Sequence, residues 1–154
     1  MNNLKFCFVL FFAQAFFSPL FAQEPQVETI SSVTELSSLI GISIHELITR
    51  FGPPSTVYPV RGEAVWQDDV VFSYKDVDFY IVKDRVWQLR VQSANGIRTG
   101  DAKTAITMTH GANITDKGNR IIVAVRGFAM PLEYHYYLDS HGRVQSIYLC
   151  RSDY

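Results

Sequence analysis

Few residues in this chain carry side chains able to do chemistry, and their spacing limits what that chemistry can be. The histidines are His45, His110, His135 and His141, whereas a zinc centre needs three or four closely placed His, Cys or acidic ligands. Only His135 and His141 stand near each other, on either side of an expected hairpin turn, and solvated strand and turn histidines account for them as well. No metal site is expected. Asp139-Ser140-His141 contains triad residue types, but consecutive residues cannot align a nucleophile, its base and an orienting carboxylate, which must converge from separate elements. It reads as a turn. The acids Asp68-Asp69 and Asp76 with Asp78 lack an oxygen-rich loop of calcium-binding spacing and read as solvated edge charges. Cys150 could be a reactive thiol if Arg151 or His135 supplied a cation beside it, or a buried inert cysteine. A small hydrolase would need His135, Cys150 and an acid to converge. No catalytic residue is assigned on this pattern, and, with Gly96, Gly100 and Gly111 reading as structural punctuation rather than a phosphate loop, no cofactor is expected.

The elements that must position these residues are more legible. Ser43-Ile44-His45-Glu46 is a Ser-x-x-Glu capping box, in which both side chains satisfy free backbone donors at a helix start. Gly52 can end that helix and Pro53-Pro54 prevents its resumption. Ile44, Leu47, Ile48 and Phe51 form one apolar stripe at i, i+3, i+4 and i+7. From Trp66 the period becomes alternating, and Val70–Tyr74, Val77–Val82 and Arg85–Val91 read as three antiparallel strands. Lys83-Asp84 suits a tight hairpin between the second and third.

The order then recurs. Gly41 and Gly52 bracket the first helix, and Gly100 and Gly111, with the same spacing, bracket a second. Asp101 is its expected cap, and Ala102, Ala105, Ile106 and Thr109 its inner face. Strands follow at Ile121–Val125, Leu132–Leu138 and Arg143–Cys150. The expected fold class is α+β: two tandem helix-plus-three-strand repeats, 39–94 and 95–154, form one antiparallel sheet of about six strands with the helices packed on one face. Alternation places Asp78, Tyr80, Gln88, Arg90, His135, Tyr137, Ser146 and Tyr148 on the open face, and Phe79, Trp87, Leu89, Tyr136, Ile147 and Leu149 toward the helices.

Gly41, Glu46, Leu47, Phe51, Gly52, Pro53, Trp66, Tyr74 and Val86, with Gly100, Ile106, Gly111 and Val144 in the second half, give a chain that resembles the SmpA/OmlA (BamE-like) family and the wider β-lactamase-inhibitor-protein-like fold in its tandem-repeat form. The resemblance spans 39–154. It implies an exported protein without catalytic residues that binds another protein or the cell envelope. Gln23 stands where the lipoprotein members carry a lipidated cysteine.

The N-terminus fits export. Lys5 precedes the apolar run Phe6–Phe17, which is short of the roughly 20 residues a membrane span needs. Ser18-Pro19-Leu20-Phe21-Ala22 then offers a helix breaker and a small residue beside a cleavage site. Residues 1–22 read as a signal peptide, with an uncleaved anchor as the alternative, and 23–38 as a polar lead-in or linker. Cleavage near Ala22 would leave a single domain at 39–154, periplasmic or secreted, with no stable membrane anchor expected. Cys7 would go with the leader, so no intrachain disulfide is expected. The chain carries 14 basic against 15 acidic residues, a balance that offers nothing to nucleic acid.

Three functions are therefore weighed. One is a non-catalytic protein-binding module whose partner, an envelope protein or enzyme, meets Tyr80, Arg90, His135, Tyr137 and Tyr148. Tyrosine and arginine give large rigid contact area with hydrogen-bonding ends, although cross-strand aromatic pairs also stabilise any sheet. The alternative is a secreted inhibitor of a cell-wall or β-lactamase-type enzyme, which would insert a loop such as Ser55–Ala64. The third is the small hydrolase.

Overall fold

A computed structural model describes residues 33–61 and 69–153. The expected leader, most of the lead-in, and Trp66 and Asp68 lie outside the described residues. The helices are α1 (Val33–Ser38), α2 (Ile44–Phe51) and α3 (Lys103–His110). The strands are β1 (Thr56–Val60), β2 (Asp69–Ser73), β3 (Val77–Val82), β4 (Arg85–Val91), β5 (Ser93–Ala94), β6 (Ile97–Arg98), β7 (Thr115–Asp116), β8 (Arg120–Val125), β9 (Leu132–Leu138) and β10 (Val144–Arg151).

The local signals of α2 act as read. Ser43 Oγ accepts from Glu46 N at 3.2 Å, and Glu46 Oε2 accepts from Ser43 N at 2.8 Å. These bonds favour the charged carboxylate and lower its pKa. Gly52, at φ 75°, closes the helix by donating its N–H to Ile48 O at 2.8 Å. Leu47 is fully buried, a contribution of about 1.5–3 kcal/mol relative to leaving it in water. Phe51 packs against Tyr74 and Phe79 with ring centroids 5.9 and 5.6 Å away, and Tyr74 donates its hydroxyl to Gly52 O at 2.9 Å. The helix end is thus tied to the sheet by both apolar contact and a hydrogen bond.

The expected architecture is corrected. Instead of six strands built from two helix-plus-three-strand repeats, one antiparallel sheet of eight strands runs in the order β1-β2-β3-β4-β10-β9-β8-β7, and β5 and β6 form a separate two-stranded hairpin. The molecule is mostly sheet, with three short helices among the described residues. The missed edge strands explain the difference. β1 contains Pro59, which cannot donate to a ladder and argues against a strand except at an edge, and β7 is two residues long, too short for any periodicity. The two halves of the chain meet where β4 pairs with β10, with Tyr148 opposite Arg90 and Leu149 opposite Leu89.

Two further corrections are local. Asp101 does not cap α3: its Oδ2 accepts from Arg98 N at 2.8 Å, and the cap position is Ala102, with no side-chain hydrogen bond. Trp87 does not point toward the helices. Tyr80 pairs with Gln88 but Ile81 with Val86, so Trp87 is the extra residue of a β-bulge, which breaks the alternation. Its Nε1 donates to Asp69 Oδ2 at 3.2 Å.

One backbone clamp occurs twice. Gly41 N donates to Val86 O, and Gly100 N to Val144 O, both at 2.7 Å. Arg85 Nη1 donates to Gly41 O at 3.3 Å and Arg143 Nη1 to Gly100 O at 2.9 Å. Both glycines sit at φ 92°, a conformation L side chains rarely adopt. The clamps hold the segments leading into α2 and α3 against β4 and β10. On the helix side of the sheet, Leu47, Phe79, Leu89, Ile106, Ile121, Tyr136, Ile147 and Leu149 are fully buried in one continuous core, joined by Leu36 from α1. The opposite face is left to the polar and aromatic residues of β3, β4, β9 and β10.

Candidate functional site

Tyr80 on β3, Gln88 on β4, Ser146 and Tyr148 on β10, and His135 and Tyr137 on β9 line a cleft of about 340 Å³ on the face opposite the core. The register assembles it: Tyr80 stands opposite Gln88, Tyr148 opposite His135, and Tyr137 opposite Ser146. Tyr148 is the hub of the aromatic packing. Its ring meets Tyr80 at 6.0 Å and 62°, and Tyr137 at 5.5 Å and 81°, the edge-to-face geometry that aromatic quadrupoles favour.

Of the five residues singled out in the sequence, four are brought together here. Tyr137, Tyr148 and His135 are half-buried on the cleft wall, while Tyr80 is only 9% exposed and lies deeper than an open sheet would leave it. Burial, then the neighbouring Tyr148, pushes the Tyr80 hydroxyl's pKa up. The fifth, Arg90, does not line the cleft. It is paired with Asp78, Nη2 to Oδ2 at 2.6 Å, and Ser73 Oγ donates to the other Asp78 oxygen at 2.6 Å. Burial opposes the Arg90 charge, but Asp78, Tyr80 and Tyr148 together raise its pKa. Arg90 is thus tied to β3 through Asp78, with its own side chain 43% exposed.

Gln145 and Val60 also line the cleft, and neither was singled out in the sequence. Val144 pairs with Leu138 and Ser146 with Tyr137, which leaves Gln145 as a bulge residue. Strict alternation would turn Gln145 toward the helices; the bulge presents it and Ser146 together. Val60 comes from the edge strand that Pro59 concealed.

A second cluster borders the cleft. Glu133 Oε2 lies 3.0 Å from His135 Nε2, and Cys150 Sγ lies 3.8 Å from both His135 ring nitrogens. The three residue types of a thiol triad are thus within reach of one another, but in the wrong disposition. A base must aim one nitrogen at the sulfur and offer the other to the acid. Here the sulfur is equidistant from the two nitrogens, at the limit of a sulfur hydrogen bond, and Glu133 holds Nε2. Cys150 is 4% exposed, and burial followed by the Glu133 charge pushes its thiol up to about 12, against a smaller opposing pull from Arg120. The thiol stays protonated at neutral pH, a buried structural group. Arg120 is occupied by Tyr137: Nη1 donates to the hydroxyl at 3.1 Å, and the guanidinium lies 5.5 Å from the ring centroid.

His141 is in the β9–β10 turn with Nδ1 3.3 Å from Ser140 Oγ, and Asp139 Oδ1 accepts from the backbone N–H of His141 and Arg143 at 2.9 Å, so Asp139-Ser140-His141 builds the turn. Among the described residues no group of three or more His, Cys, Asp or Glu is arranged to hold a metal, and no helix is long and apolar enough to cross a membrane.

No family model matches the chain, and no curated protein matches it. Among solved structures, it is similar to an extracellular protein containing a SCP domain from Bacillus anthracis strain Ames, with 13% identity over 82% of this chain and 47% of that one, at a TM-score of 0.51. It is also similar to YjgB, a DUF4309 family protein from Bacillus subtilis strain 168, with 14% identity over 71% of this chain and 78% of that one, at a TM-score of 0.45. Neither bears the SmpA/OmlA or β-lactamase-inhibitor name that the motif residues suggested. The chain spans about half the length of the Bacillus anthracis protein, and at this identity the likeness is one of fold.

Proposed function

We propose that this chain is an exported, non-catalytic protein-binding module that takes its partner in the cleft between β3 and β9. The observation that carries the reading is the convergence of Tyr80, Tyr137 and Tyr148 with Gln88, Gln145 and Ser146 in one cleft on the face the core leaves free. Tyrosine and amide side chains combine rigid contact area with adaptable hydrogen bonds. Export rests on the composition of residues 1–22. The inhibitor alternative has less support, because Thr56–Val60, part of the segment expected to insert as a loop, is a strand paired along its length with β2.

The test is crosslinking in the native host followed by pull-down with purified wild type and a Tyr137→Ala/Tyr148→Ala variant. Both residues lie on the cleft wall and outside the apolar core, so the variant is expected to fold, as checked by its unfolding temperature. The crosslinked partner is expected to be lost by the variant. A folded variant that retains every partner would exclude the cleft as the site.

A further inference from the structure

On the face of the sheet opposite the cleft, α2 and α3 end differently. The last turn of α2 closes on Phe79 through Phe51, an apolar contact with no proton to gain or lose. The last turn of α3 closes on Tyr136 through His110, with ring centroids 6.0 Å apart and His110 Nε2 3.4 Å from the Tyr136 hydroxyl. Tyr136 is fully buried on β9. Its hydroxyl also accepts from Asn95 Nδ2 at 3.3 Å. Asn95, at φ 54° beside Gly96 at φ 76°, forms the two-residue turn of the β5–β6 hairpin. One buried hydroxyl therefore joins both α3 and the hairpin to the sheet. The first turn of α3 is held by backbone bonds instead: Gly100 N donates to Val144 O, and Lys103 N to Gly142 O at 2.9 Å.

We propose that His110, Tyr136 and Asn95 form an acid-operated latch: neutral imidazole holds the last turn of α3 and the β5–β6 hairpin to β9, and protonation releases both while the first turn of α3 stays pinned. The proton count gives the reason. With Asn95 donating to the Tyr136 oxygen, the Tyr136 O–H donates to Nε2, which requires neutral imidazole with its hydrogen on Nδ1. A proton taken up at Nε2 turns that nitrogen into a donor. Two donors then meet the Tyr136 oxygen, its own O–H loses its acceptor, and a cation is left half-buried. An unpaired buried hydroxyl and a poorly solvated charge are both costly, and both are relieved when the turn moves outward. The titratable groups packed under His110 are tyrosines of β9: Tyr136 and, stacked on it at 6.0 Å, Tyr134. The hairpin contributes the uncharged Asn95, its Arg98 being exposed. Burial lowers the His110 pKa, so release falls below the ordinary histidine value near 6.5. Lys103, at the far end of α3, is paired with Asp116 of β7 and holds that carboxyl below the usual carboxylate range, so this pair keeps its charges when the latch opens.

The experiment is amide hydrogen exchange of the full chain, read by mass spectrometry at about pH 7.5 and about pH 5, a window that spans ordinary histidine titration. Rates are corrected for the intrinsic effect of pH, and His110→Phe is measured in parallel. That variant gives α3 the apolar closure that Phe51 gives α2; if it does not fold, His110→Gln, which cannot take up the proton, replaces it. In wild type, corrected exchange over 93–98 and 107–111 is expected to rise at least about tenfold at the acid pH, while β4, β10 and the clamp at Gly100 change less than about threefold. In the variant the rise should disappear. A smaller rise in those wild-type segments would overturn the latch. So would a rise that persists in the variant, which would assign it to another group, or a rise of equal size in β4 and β10, which would make it general acid unfolding.

Discussion

Alkylation of Cys150 under native conditions tests whether the thiol at the cleft border is held protonated and inert. The thiol is buried beneath Glu133 and His135, and burial with the Glu133 charge raises its pKa to about 12. An ordinary cysteine titrates near 8.5, so at about pH 8 roughly a quarter of unfolded thiol is thiolate, against a fraction on the order of 10⁻⁴ in the fold. Since only the thiolate reacts, iodoacetamide should modify the native protein about a thousandfold more slowly than the denatured chain. Burial slows it further. A Cys7→Ser background makes Cys150 the sole reporter, with modification followed by mass spectrometry in buffer and in concentrated guanidinium. A native rate within about tenfold of the denatured one would mean that His135 holds the thiolate as an ion pair. Such a rate would make Cys150 a competent thiol nucleophile.

Two further outcomes follow from the fold. Gly100→Ala or Gly41→Ala puts a Cβ on a residue at φ 92° and strains the clamp onto Val144 or Val86, so each should lower unfolding free energy by about 1–3 kcal/mol in urea titrations; a loss below about 0.5 kcal/mol would show that the clamp is relaxed easily. His110, whose Nε2 lies 3.4 Å from the Tyr136 hydroxyl, has its pKa lowered by burial, so the folded state prefers neutral imidazole. Its contribution is therefore present above the ordinary value near 6.5 and lost as pH falls through and below it. Stability should decline on that acid side, and His110→Gln should flatten the decline; an unchanged slope in the variant would assign the decline to other groups.

What the amino-acid sequence determined alone is the part that depends on neighbours along the chain. Ser43 and Glu46 can close a capping box, and Gly52 can end α2, without help from the rest of the molecule. Alternating branched and aromatic residues are enough to mark β2–β4 and β8–β10. Lys83-Asp84, at φ 48° and 64°, makes the tight turn expected between β3 and β4. The same alternation placed Tyr80, His135, Tyr137 and Tyr148 on one face.

Tertiary structure decided everything that depends on contacts across the chain. β1 exists because β2 offers it a ladder, despite Pro59, and β7 because β8 does; neither is long or regular enough to announce itself. The bulges at Trp87 and Gln145 are a register mismatch between two strands, invisible in either strand alone, yet they turn Trp87 to Asp69 and add Gln145 to the cleft. Pairing of β4 with β10 set Arg90 opposite Tyr148, while β3 supplied Asp78 as its ion-pair partner. Glu133, His135 and Cys150 meet only because β9 and β10 lie in one register, and burial there, a property of the whole fold, raises the Cys150 pKa and keeps the thiol protonated. Periodicity could say which way these side chains face; only packing could say how deeply they lie and what they are bound to.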